Sequence, residues 1–189
     1  TYAGNLATVA RFESNSRYRF VQMDICEEEA MHSLFAKKQP VGVIHLAAES
    51  HVDRSIGGSG VFVQTNIVGT YTLLETARHF VEGKGRESDV FRFHHVSTDE
   101  VYGSLGHDGL FTENSPYAPN SPYSASKAAA DRLAYSYWST YNVPVIITRA
   151  SNNYGPYQYP EKVIPLFATN AIDHLKVPLY LLNGENHGK

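Results

Sequence analysis

Three short apolar runs constrain this chain most, because each is strand-sized and ends in polar residues, and helix-length segments separate them. They are 41–47 (VGVIHLA), 90–97 (VFRFHHVS) and 143–149 (VPVIITR). Their shortness and their β-branched and aromatic content favour buried parallel strands over helices. Two further strand candidates flank them, 18–23 and 177–182, the second with no evident partner. Helical patterns fall at 27–38, with Met31, Leu34 and Phe35 as its apolar stripe, and at 61–81, 123–141 and 161–175. Strand and helix in alternation imply an α/β fold with a doubly wound, Rossmann-like parallel sheet. Such sheets bind ligands beyond the carboxyl ends of their strands, so the residues just past each run matter most.

After 90–97 come three adjacent polar residues, Thr98, Asp99 and Glu100. Downstream, Ser121 can cap a helix, Pro122 suits its first turn, and Tyr123 and Lys127 share one face at a spacing of four. An ammonium beside a phenol favours the phenolate, so the pair predicts a tyrosine base working nearer neutral pH. Strand-end acids with such a base point to carbonyl and hydroxyl redox chemistry on a polyol. Each element also has a plain structural reading: the Tyr-x-x-x-Lys spacing arises in many helices, and paired carboxylates are common as solvated loop charges. The polar segment between them, 103–119, is expected to lie over a substrate.

Composition narrows the field further. With 189 residues and a net charge of −3, the chain can hold a sizeable core and has no basic block for nucleic acid. No apolar run is long enough to cross a membrane. The nine histidines lack metal-site spacing, and His94 and His95 in a strand point to opposite faces, so no metal is expected. Cys26 is the only cysteine, which excludes an intrachain disulfide and fits a cytoplasmic setting. Gly57, Gly58 and Gly60 do not follow a strand directly and read as a turn, not a phosphate cradle.

Taken together, S-T-D-E-V-Y-G at 97–103 and S-P-Y-S-A-S-K at 121–127 resemble the extended short-chain dehydrogenases, and within them the nucleotide-sugar 4,6-dehydratases. The resemblance extends over nearly the whole chain. It implies bound NAD, a nucleotide-sugar substrate with dTDP-glucose foremost, and a homodimer through the helices at 61–81 and 123–141. It gives Thr98, Asp99, Glu100, Tyr123 and Lys127 catalytic roles. At the cofactor it places Thr1, Asp24, Ile25, Leu46, Ala47, Ala48, Glu49, Ser50, Thr65 and Asn153, with Tyr123 and Lys127. At the substrate it places Ser50, Thr98, Asn152, Lys162 and Val163, the last where the family often has leucine. From the residues alone, Asp24 reads as a helix cap. Paired acids after the threonine argue against an epimerase or decarboxylase, and the Tyr-Lys pair argues against a non-catalytic dinucleotide sensor.

The sequence departs from that pattern at both ends. No glycine-rich turn follows a first strand, and the acid expected just before Thr1 is not in the sequence. Residues 178–189 match only loosely the segment leading to the nucleotide-binding arginine, so they assign no nucleotide base. The expectation is an internal fragment without the first βαβ elements and most of the C-terminal domain, unable by itself to retain NAD. Residues 1–160 would then be a partial NAD-binding domain and 161–189 the start of a nucleotide-sugar region.

Overall fold

The structure, a computed structural model, describes residues 2–84, 90–105 and 109–177. Two compact units emerge. One spans Met23–Ser151; the described residues of 1–22 and 152–187 form the other.

In the first unit three parallel strands, β1 (Gly42–His45), β2 (Arg92–Thr98) and β3 (Val145–Ala150), lie side by side in that order. Gly42 pairs with Arg92 and Phe93 with Val145, which sets the register of the whole sheet. Helices α1 (Glu28–Lys38), α4 (Gly69–Glu82) and α5 (Pro122–Tyr141) supply Met31, Phe35, Leu73, Leu74, Ala77, Ala134 and Tyr137 to one core with Phe91, Phe93 and Val143. The α/β architecture with a parallel sheet is as expected.

Burial of the strands is one-sided, where near-continuous apolar runs predict cover on both faces. Phe93, His95 and Ser97 of β2 are buried, whereas Ile44 of β1 is 67% exposed and Ile146 of β3 is exposed as well. The described helices that enclose the core meet only the first face. The segment at 18–23 is not a strand: it has no ladder partner among the described residues, and backbone polar groups form strands only in pairs. Most of 177–182 lies outside the described residues.

The helix expected at 61–81 is built in three pieces: α3 (Gly60–Phe62), a π-helical stretch (Val63–Val68) and α4. The short α2 (Val52–Gly57) precedes it, and Gly58 and Ser59 make the turn between them. Gly69, where the π-helix ends, sits so close to Ile25 that a Cβ there would meet its side chain. Helix α5 is capped as predicted: Ser121 and Ser124 bond reciprocally in a capping box and Pro122 opens the first turn.

Under the sheet lies a buried histidine whose protonation state the hydrogen bonds define. Thr70 donates its hydroxyl proton to the Asn66 carbonyl at 2.7 Å, so at 2.9 Å it must accept from His45 Nε2. The neutral ring therefore carries its proton on Nε2, and the buried Nδ1 has no partner. Burial, then competition with the neighbouring His95 ring and the Lys127 ammonium, push His45 from 6.5 down to about 3. The unfolded chain takes up this proton below about pH 6.5 and the folded chain does not, so stability falls as pH drops through that window. We predict that acidification to pH 5 costs about 2 kcal/mol through this one ring. Urea unfolding at pH 7.5 and pH 5 should show that loss in the wild type and much less of it in His45→Gln. An equal loss in both would disprove the neutral-ring assignment.

Candidate active site

The central strand β2 ends at Thr98, and the chain turns at once into a 3-10 turn, Asp99–Tyr102. Thr98 caps that turn: its hydroxyl oxygen accepts from the Glu100 amide at 3.2 Å and lies 3.5 Å from Asp99 Oδ1. Val101 and Tyr102 are buried against Ala128 of α5, which ties the acidic turn to the helix. The backbone then reverses at Gly103, whose φ of +85° favours glycine and whose α-carbon faces the Ala118 carbonyl too closely for a side chain.

Tyr123 is the second residue of α5, and its ring meets Phe62 edge-on at 6.4 Å. Burial, then the Glu100 charge, push its phenol up to about 12; a hydrogen bond with Thr98 pulls the other way, and Asp99 adds to the rise. Tyr123, Thr98, Asp99 and Glu100 thus form one electrostatic group. One turn further on, Lys127 is only 4% exposed, and its Nζ donates to the Val96 carbonyl at 2.8 Å. Burial brings its ammonium down to about 8, against the pull of Asp131. The lowered phenol expected from the Tyr-Lys spacing is therefore reversed in this state. The ammonium is engaged by a backbone carbonyl, and the charges that act on the phenol are carboxylates.

On the other side of the group, the segment after β1 is held by one side chain. Asn66, in the π-helical stretch, accepts from the Glu49 amide at 2.8 Å and donates to the Glu49 carbonyl at 2.9 Å and to Ser126 Oγ at 2.9 Å. The polar interruption of that helix is therefore a clamp linking the β1 end to α5. Leu46 and Ser50 are exposed beside it, Ala48 is half-buried and Thr65 partly so. Asp24 accepts from the Cys26 amide at 2.9 Å, forming a turn ahead of α1, and Glu27 is the helix cap without a side-chain bond. Ile25 packs on the apolar core, so its side chain serves the fold.

The remaining predicted residues belong to the second unit. Asn153 accepts from Gln158 Nε2 through its carbonyl at 2.9 Å, Lys162 caps α6 (Val163–Ile172), and Val163 starts it. There Tyr2 donates to Glu161 at 2.7 Å and meets Tyr159 edge-on. Thr1 lies outside the described residues. Among the described residues no three His, Cys, Asp or Glu side chains gather in a metal-binding group, and no helix is long and apolar enough to cross a membrane.

Sequence reasoning missed Asp131, which is fully buried one turn beyond Lys127. Its Oδ2 accepts from Tyr117 and from Arg149 Nε, both at 2.9 Å. The available signal was its spacing, because 123, 127 and 131 mark successive turns of one helix face.

A profile of the GDP-mannose 4,6-dehydratase family matches residues 1–188. The chain belongs to this family. Within it, the dTDP-glucose 4,6-dehydratase of Neisseria meningitidis is 56% identical over 182 residues, which are 95% of this chain and 51% of that protein. The dTDP-glucose 4,6-dehydratase of Streptomyces venezuelae, solved with NAD bound, superposes with a TM-score of 0.87 at 49% identity, covering 96% of this chain and 53% of that one. A Thermus thermophilus UDP-glucose 4-epimerase, also solved with NAD, has a TM-score of 0.80 at 29% identity, over 93% and 55% of the two chains. The chain thus spans about half the length of the relatives it matches.

For this 4,6-dehydratase family member, the Asn66 clamp yields a local prediction. Asn66→Ala leaves the Glu49 amide and carbonyl unsatisfied and should cost about 2–3 kcal/mol. Chemical denaturation reads the loss, and hydrogen exchange should show the Glu49 amide opening far faster than those of β2. Unchanged protection at Glu49 would mean that the clamp does not order this segment.

Proposed function

We propose that the chain carries the reaction centre of an NAD-dependent dTDP-glucose 4,6-dehydratase, which converts dTDP-glucose to dTDP-4-keto-6-deoxyglucose and water. The observation that carries this reading is the gathering of Tyr123, Thr98, Asp99 and Glu100 at the end of the central strand, over a buried lysine. The likeness to dTDP-glucose 4,6-dehydratases at 50–56% identity supports it.

The residues present fit a dinucleotide. The strand-end segment carries an exposed Leu46, and the clamp on Glu49 holds its backbone in place for a close ligand. Buried atoms without partners, Glu49 Oε2 and His51 Nδ1, flank it. Leu46, Ala47, Ala48, Glu49, Ser50, Thr65, Asp24, Ile25, Thr1 and Asn153 would hold NAD, with Lys127 on its ribose. NAD, when bound, supplies the acceptor for hydride from C4 and its donor to C6, and its cationic ring favours a phenolate at Tyr123.

The protein groups then divide the proton transfers. Tyr123 removes the C4 hydroxyl proton, and Thr98 holds the C4 oxygen. The C4 ketone acidifies C5, whose proton Glu100 takes, while Asp99 protonates the departing C6 hydroxyl; Glu100 would return a proton to C5 when C6 is reduced. Ser50, Asn152, Lys162 and Val163 would position the sugar nucleotide. In the same reading, residues 1–160 serve the dinucleotide, 161–189 begin the nucleotide-sugar region, and the protein works in the cytoplasm. An epimerase or decarboxylase has no use for the paired acids.

We predict distinct failures for the complete enzyme. Glu100→Gln should reduce the cofactor on mixing with substrate and then stall, keeping deuterium at C5. Asp99→Asn should still exchange C5 but lose water about two to four orders of magnitude more slowly. Tyr123→Phe should suppress cofactor reduction itself. Rapid-mixing absorbance with mass spectrometry of C5-deuterated substrate separates the three; no cofactor reduction in either acid variant would overturn the division of labour.

A homodimer through α4 and α5 belongs to the same proposal. Trp138 is 51% exposed with Tyr135 against it, and Tyr141 on α5 and Tyr71 on α4 are exposed as well, aromatic surface that suits burial between subunits. Trp138→Glu should give monomers by light scattering. A dimer that tolerates the change would place the interface elsewhere.

A further inference from the structure

Below the Tyr123 and Lys127 pair, the buried face of α5 continues to Asp131, which the proposed mechanism leaves without a task. Its carboxylate collects contacts from three segments: Tyr117 from the segment after the acidic turn, Arg149 from β3 and His95 from β2. His95 Nε2 stands 3.2 Å from Oδ1, yet neither atom completes an aligned hydrogen bond. Arg149 also reaches the Tyr117 and Tyr102 hydroxyls. Burial alone would raise the Asp131 carboxyl, but His95, Ser97 and Arg149 bring it below its usual range, so it is an anion.

Lys127 needs such an anion. Its Nζ is given one backbone carbonyl, and a buried ammonium without counter-charge releases its proton. Asp131 stands one turn on from it along α5, and both side chains are buried on that helix face. The other charged or titratable groups coupled to the lysine are His45 on β1 and His95 on β2, while Arg149 on β3 is paired with Asp131. Both rings are held neutral, His45 down to about 3 and His95 below its usual value, first by burial. That leaves Asp131 as the negative group that acts on the lysine.

We propose that Asp131 is a positioning residue of the Tyr123/Lys127 pair: it supplies the buried counter-charge that keeps Lys127 a cation and anchors Tyr117 at the same carboxylate. This rests on the dehydratase reading, in which a charged Lys127 supports the tyrosine base. The alkaline limb of the first hydride transfer then reports Lys127, and its position depends on Asp131.

The experiment is a pH series of rapid-mixing cofactor reduction in the complete holoenzyme, with dTDP-glucose as substrate. Asp131→Asn should move the alkaline limb roughly one pH unit or more towards neutral. At pH 8, where the wild-type lysine is about half protonated, a shift of one unit should lower the rate at saturating substrate about fivefold, with KM little changed. Asp131→Glu keeps the charge and should leave the limb in place. If Asp131→Asn does not fold, Asp131→Asn with Arg149→Gln removes both members of that ion pair and leaves no unpaired guanidinium; the limb should still move the same way. A limb that stays put in a folded charge-neutral variant, or moves equally in Asp131→Glu, overturns the proposal. No cofactor reduction in the wild type would instead overturn the dehydratase reading.

Discussion

A lysine taken almost wholly out of water must be satisfied by protein groups alone, and the centre of this molecule is built to do that. Lys127 ends on the Val96 carbonyl, so the strand that presents the acids and the helix that presents the tyrosine are joined through its amine. The same burial sets the electrostatics around it: loss of water, and then the ammonium among other charges, depress His45 and His95, and neutral rings allow the cation to persist among them. Removing water from one charge thus helps to fix the protonation states of its neighbours.

The second organising element is the break in helical regularity at Val63–Val68. A regular α-helix would carry its polar residues around a fixed spiral, whereas the wider π turn aligns Asn66 with the backbone after β1. The side chain mimics a strand partner by bonding both polar groups of Glu49, then reaches Ser126 on α5. Three elements, the β1 end, the helix at 60–82 and α5, therefore share one buried amide. Thr70 and His45 extend that network beneath the sheet.

Much of this was legible in the sequence, for physical reasons that differ by residue. The β2 strand and the Ser121 cap follow from local pattern, and both stand within two residues of their expected places. His94 and His95 face opposite ways, as strand alternation requires: His95 is buried, and His94 bonds Thr148 on the more open face. The stretch at 18–23 failed because strand formation needs a partner, which composition does not reveal. The phenol at 123 went the opposite way from expectation because helical spacing gives a lysine neighbour but not where its amine points. Asp131 escaped notice among the alanines of α5, since a single acid in a helix usually faces solvent.

The capping box at the start of α5 fixes more than the helix boundary. It places Tyr123 in the first turn, where unpaired amides leave a partial positive charge, and helical side chains lean towards that end. An anion formed on the tyrosine would therefore sit at the end of the helix that favours negative charge, and a neutral phenol gains nothing from it. The backbone thus prefers the deprotonated state of a side chain whose carboxylate neighbours prefer the protonated one. Two serines that touch no reacting atom hold those opposing preferences in balance.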